Sequence, residues 1–163
     1  MMFTYSLKNK ILSIIVFIFM IVFSTTIYIS SRKQKIDCVS TFLIIPDDKS
    51  WEHFKGTMSV TIYSNGNGEV MFSGDAHQNG SNGKVFFYER LMRFKYEKAD
   101  DINYTLHDVD VVKYKNDDLQ DDLFSKYVYS STSDKKDHLV ILKLKNAFLM
   151  GNMNGPRHMC VRR

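Results

Sequence analysis

"TMSVTIYSNGNGEVMFSG", residues 57–74, is the stretch whose reading decides the fold. Met58, Val60 and Ile62 alternate with Ser59, Thr61 and Tyr63, a period of two that gathers apolar side chains on one face of a strand. Asn65-Gly66-Asn67-Gly68 follows, residue types that accept positive φ, and "EVMFSG" runs back. A β-hairpin is predicted.

Working outward, "CVSTFLIIP" (38–46) is a β-branched, apolar run stopped by Pro46, and predicts a strand. "DKSWEHFKG" (48–56) reads as a turn or one short helical piece. "HQNGSNG" (77–83) predicts a second turn, and "KVFFYERLMRFKYEK" (84–98) one long aromatic strand, bulged in its second half. "YTLHDVDVVKYK" (104–115) alternates imperfectly and predicts another strand. "NDDLQDDLFSKY" (116–127) has Asn116 as a cap, acidic residues in its first turn, and Leu119, Leu123 and Phe124 on one face, which predicts a helix. "HLVILKLKNAF" (138–148) closes as a strand, "GNMNGP" (151–156) turns, and "RHMCV" (157–161) makes a short last strand. The expected class is mainly β with a minor α component: an antiparallel sheet forming a curled sandwich or a barrel, with one short helix.

The other decisive run is "ILSIIVFIFMIVFSTTIYI", residues 11–29, which carries no charge. As a helix it rises about 28 Å, close to the hydrocarbon thickness of a bilayer, whereas a secretory apolar region is about 7–15 residues long. Val22 and Ser24 offer a signal-peptidase site, but the apolar stretch continues to Ile29, which a cleaved signal would not need. The expectation is an uncleaved transmembrane helix, with a cytoplasmic tail at 1–10, a polar stalk at 30–36 and an exported domain at 37–163. The whole chain has a net charge of +4. Of its 22 basic residues, Lys8, Lys10, Arg32, Lys33 and Lys35 flank the span, leaving 17 against 18 acidic ones in the rest. The excess charge therefore belongs to the lipid boundary, and direct nucleic-acid binding is not expected. The basic flanks tie, three positive charges to three, so they do not set the orientation. Two cysteines at opposite ends of the domain favour an oxidising compartment such as the bacterial periplasm.

Cys38 and Cys160, if paired, close a loop of about 120 residues; free thiols or a bond to another protein are the alternatives. No C-x-x-C is present, which argues against a redox centre. His53, His77, His107, His138 and His158 lack zinc-type spacing, so no metal site is expected; as imidazoles they are candidates for a pH response. Asp108, Asp110, Asp117, Asp118, Asp121 and Asp122 lack the calcium-loop pattern and read as a solvated helix start. Gly66/Gly68 and Gly80/Gly83 are turns, not phosphate cradles. With no nucleophile or cofactor motif, neither an enzyme nor a cofactor is expected. The aromatic content, Phe72, Phe94 and Tyr104 among it, exceeds what a small hairpin needs and leaves room for an apolar cavity or a docking face.

A short tail, one apolar anchor, a basic stalk, Cys38 opening the exported domain and Cys160 just before a basic C-terminus together resemble the PsaF/MyfF family of accessory regulatory membrane proteins, within the wider FidL-like and ToxS-like group. The resemblance covers the whole chain in layout. It implies an inner-membrane protein with its N-terminus in the cytoplasm and its C-terminal domain in the periplasm. The implied partner is a ToxR-like activator of the PsaE/MyfE type, which carries a cytoplasmic winged helix-turn-helix. The accessory protein would bind and stabilise it, acting as a positive regulator of a fimbrial adhesin operon in response to outside conditions. It also implies a lipocalin-like barrel, in related pairs completed by both partners, sometimes with a cavity for an amphipathic ligand. The alternative is an anchored ligand-binding barrel acting alone.

Overall fold

The fold is that of a computed structural model, which describes residues 3–31, 34–80, 83–129, 137–152 and 155–163, with backbone alone at 3–9, 11, 29–31, 34 and 156. Two units are present, Met1–Lys33 and Gln34–Arg163.

In the first unit, α1 runs Phe3–Ser31 and contains the whole uncharged stretch. Leu12, Phe17, Phe19 and Phe23 are all more than half exposed, and Phe19 stacks on Phe23 with ring centroids 6.2 Å apart. Among the described residues no helix is long and apolar enough to cross a membrane. Of the stalk expected at 30–36, residues 30–31 lie in α1 and residues 34–36 in β1. Residues 32 and 33 of that stalk lie outside the described residues, as do 81–82 and 153–154 in two of the expected turns.

The second unit is built from β1 (Gln34–Ile44), β2 (Trp51–Tyr63), β3 (Asn67–Gln78), β4 (Val85–Lys98), β5 (Asn103–Lys113), α2 (Asp121–Tyr127), β6 (Asp137–Lys143), β7 (Ala147–Asn152) and β8 (Gly155–Arg162). The strands pair in chain order and β8 returns to β1, closing an antiparallel barrel. The predicted hairpin is β2–β3, with Gly66 at φ 84° in its turn and Val60 opposite Val70. Inward positions follow the period of two: Phe54, Met58, Val60 and Ile62 on β2, then Val70, Phe72 and Ala76 on β3, are buried.

Three expectations change. "DKSWEHFKG" belongs mostly to β2; the register shifts between Trp51 and His53, so Trp51 and Phe54 are both buried three residues apart, a spacing that imitates a helix. "HLVILKLKNAF" splits into β6 and β7 at a tight turn closed by Leu144 N–H donating to the Ala147 carbonyl at 2.9 Å. The helix starts at Asp121 rather than after Asn116, with Gln120 as its N-cap. The imperfect alternation of β5 also has a cause: Arg93 and Lys95 face Asp110 and His107, so one extra residue sits on β5, and Asp108 takes φ 50° to accommodate it. Tyr104 and Leu106 point inward before this bulge, and Val109 and Val111 pack on the core after it.

Gly56 and Gly74 face each other across β2 and β3. A Cβ on Gly74 would lie 2.1 Å from the Lys55 carbonyl oxygen and 2.5 Å from the Tyr88 hydroxyl, so only glycine lets Tyr88 reach under the strands. Its hydroxyl donates to the Lys55 carbonyl at 2.9 Å, and burial pushes its pKa well above the usual phenol range.

The closing seam is short. Cys38↔Arg162 and Val39↔Val161 are its register pairs, and the fully buried Cys38–Cys160 disulfide lies inside it, joining residues 122 apart. The chain-entropy model values a loop of that length at roughly 5 kcal/mol. Replacing both cysteines by serine should therefore move the urea midpoint of the barrel down by the equivalent of about 3–5 kcal/mol, with the m-value reporting whether the ring still closes.

Candidate functional site: an apolar cavity behind a plugged barrel end

Along β4 the inward row is Tyr88, Arg90, Met92 and Phe94, so an arginine interrupts an apolar face. Arg90 is 3 % exposed and needs a partner there. Asp117 supplies it, with Arg90 Nε donating to Oδ2 at 2.8 Å. Arg90 also donates to the Leu119 carbonyl at 2.8 Å, pairs with Asp121 at 2.9 Å, and lies 4.3 Å above the Phe124 ring. Asp117 in turn accepts from the Leu119 and Glu89 amides. The acidic run was expected to be a solvated helix start; Asp117 is instead buried and fixes the chain that enters α2.

This network holds α2 as a plug. Phe124 meets Phe72 and Tyr88 edge-on at 5.6 and 6.0 Å, and Tyr127 meets Phe54 at 4.8 Å. Beyond the plug the interior is not filled. A cavity of about 380 Å³ is lined by Val60, Val70, Phe72, Met92, Phe94 and Leu106, with Tyr129, Asp137, His138, Arg157 and His158 at its polar side. A second space of about 460 Å³ shares Met58, Phe72, Arg157 and His158 with it and runs along Phe42 and Ile44 of β1. The size and the lining, apolar walls with a few polar groups at one side, suit a small amphipathic molecule. Phe72 and Phe94 of the aromatic set line this space, whereas Phe87 is 60 % exposed.

The five histidines separate into three groups. His53 and His77 stack on the outer face, ring centroids 4.3 Å apart. His107 on β5 stands 3.5 Å from Glu97. His138 and His158 border the cavity. Asp137 precedes His138 and Arg157 precedes His158 in the sequence; what brings the two pairs to one cavity is the register of β6, β7 and β8, which places His158 opposite Met150.

His158 is the group whose charge the cavity resists. Burial, then the neighbouring Arg157 guanidinium, lowers its pKa below the usual 6.5. Asp137, Tyr129, His138 and Arg157 are the titratable groups around it, and Tyr129, held by burial and by its hydrogen bond to Asp137 at 2.9 Å, stays protonated. In the window between the unfolded value near 6.5 and the lower folded value, the unfolded chain binds more protons, so stability rises with pH there and falls on acidification. Replacing His158 by glutamine should flatten the melting temperature across that window, below about pH 6.5, while the wild-type value drops; melting curves at stepped pH read the difference.

Compared with known proteins, the chain matches no family model and no curated protein.

Proposed function

We propose that this chain is a membrane-anchored accessory protein whose disulfide-closed barrel, held in the bacterial periplasm, binds and stabilises a ToxR-like membrane activator of the PsaE/MyfE type and so promotes expression of a fimbrial adhesin operon. The observation that carries the reading is an apolar row on the outside of the barrel. Leu142 pairs with Leu149, Leu149 with Met159, and Val161 with Val39, crossing β6, β7, β8 and β1. Met159 and Val161 are 58 and 52 % exposed. Leu43 and Ile45 extend the exposed apolar surface at the end of β1. Contiguous apolar surface of this kind is a liability unless something covers it.

Two further features support the assignment. Past Val39, residues 40–44 of β1 pair with β2 and, among the described residues, with no second strand, leaving backbone groups on which a partner strand can add. The barrel closes within this chain, so a partner does not have to complete it and contact falls on the seam. The anchor is α1, whose uncharged run at 11–29 with basic residues on both flanks suits a single span. Stabilisation follows from linkage: a barrel that binds only the folded activator at 100 times its Kd adds about 2.7 kcal/mol to it. Met159→Asp with Leu43→Asp should lower the activator's steady-state level several-fold and abolish its co-purification from membranes, without changing the barrel's melting temperature. An activator level equal to wild type would refute the assignment.

The cavity favours a second reading, a ligand-binding barrel that needs no partner. On that reading the full chain in lipid nanodiscs takes up an apolar fluorescent probe saturably, and Val60→Trp, which fills the cavity, abolishes uptake. Uptake that survives the tryptophan would place the probe elsewhere.

A further inference from the structure

We propose that His53, His77 and Asp75 form a divalent-cation site on the outer face of the barrel, selective for zinc-class ions. It is separate from the cavity and from the seam. His53 on β2 lies directly opposite His77 on β3, and Asp75 precedes His77 by two residues, so the pleat puts all three side chains on one face. One donor atom from each lies within 4.8 Å of the other two. The imidazoles are close to parallel, 21° between planes, and His77 Nε2 is 2.5 Å from Asp75 Oδ2. Glu52 stands 3.5 Å from His53 Nδ1, a carboxylate placed to orient that ring and leave its other nitrogen for a metal bond.

Two imidazoles and one carboxylate are the donors that zinc takes at about 2.0–2.2 Å. Bonds of that length set donors about 3.3 Å apart, so donors as far apart as 4.8 Å close by up to about 1.5 Å while the His77–Asp75 contact opens by less than about 1 Å. That movement is open to them, because all three are only partly buried. Lys55, whose ammonium is 3.4 Å from Asp75 and half exposed, swings to solvent as the cation arrives. In the metal-free state His77 Nε2 and Asp75 Oδ2 are in direct contact, and the cation takes the place of that contact. Three protein ligands leave the fourth position of a tetrahedron to water. The sequence hid this set because metal spacing is normally sought along one segment, and here the strand register brings the ligands together.

The test is titration of full-length protein in lipid nanodiscs, stripped with chelator, with zinc alone. One equivalent should bind saturably and raise the melting temperature of the barrel. Cobalt in place of zinc should give the visible absorption of a tetrahedral site. His77→Ala, and separately Asp75→Asn, should weaken binding by more than about 100-fold; both positions face outward, so the core is untouched. His138→Ala and His158→Ala should bind as the wild type does. No saturable uptake, or affinity within about threefold of wild type in both His77→Ala and Asp75→Asn, overturns the site; so does loss of binding in His158→Ala with retention in His77→Ala, which would move the ion to the cavity rim.

Discussion

The second unit depends on one buried ion pair. A barrel of eight strands has an interior just wide enough for side chains to fill, and this one is filled at one end only because Arg90 reaches inward and must be neutralised. Asp117 does so, and with it the chain from Asp117 to Leu119 is drawn against β4, where the Asp118 and Leu119 amides both donate to the Phe87 carbonyl. The plug follows from that attachment: α2 is a helix of seven residues, too short to persist alone, and it is ordered by the aromatic contacts that Phe124 and Tyr127 make once the segment is pinned. Breaking such a pair by removing one partner typically costs about 3–5 kcal/mol, because the survivor is left buried and unmatched. The cavity is the complement of this arrangement, the space that α2 does not reach.

What the sequence revealed was local. The β2–β3 hairpin carries its own alternation and its own glycine turn, and the long β4 strand its own aromatic content, so both could be read directly. The misreadings share a cause, a contact made far along the chain. Trp51 and Phe54 are both buried because a register shift offsets one from the other, and the spacing that results looks helical. Asn116 looks like a cap, but the following aspartate is claimed by Arg90 from β4, which delays the helix to Asp121. The turn between β6 and β7 has neither glycine nor proline, and alternation runs through it to Leu144. One signal for the plug was present: an arginine in the inward phase of Tyr88, Met92 and Phe94 requires a buried acid somewhere. The cavity and the histidine cluster had no equivalent signal, since each is assembled by register across several strands.

The seam concentrates what distinguishes this barrel. Seven of the ladders join strands that are neighbours in sequence, and one joins the ends. The local ladders form cheaply; the last must bring residues more than a hundred positions apart together. That is where the register is shortest, where the covalent bond lies, and where the apolar row comes to the surface. A closure of few hydrogen bonds held by a buried disulfide leaves its outer face free for apolar side chains that no ladder requires. The proposed partner contact and the fold's weakest ladder therefore occupy one place.

The same seam sets the two ends of the barrel's chain side by side: the Arg163 amide donates to the Asp37 carbonyl at 3.2 Å. Where the polypeptide enters and leaves the ring is thus a single corner, and the ring has no physical beginning. Rejoining those ends and opening the chain at the Asn65–Gly66 bend would give a circularly permuted barrel with every ladder preserved.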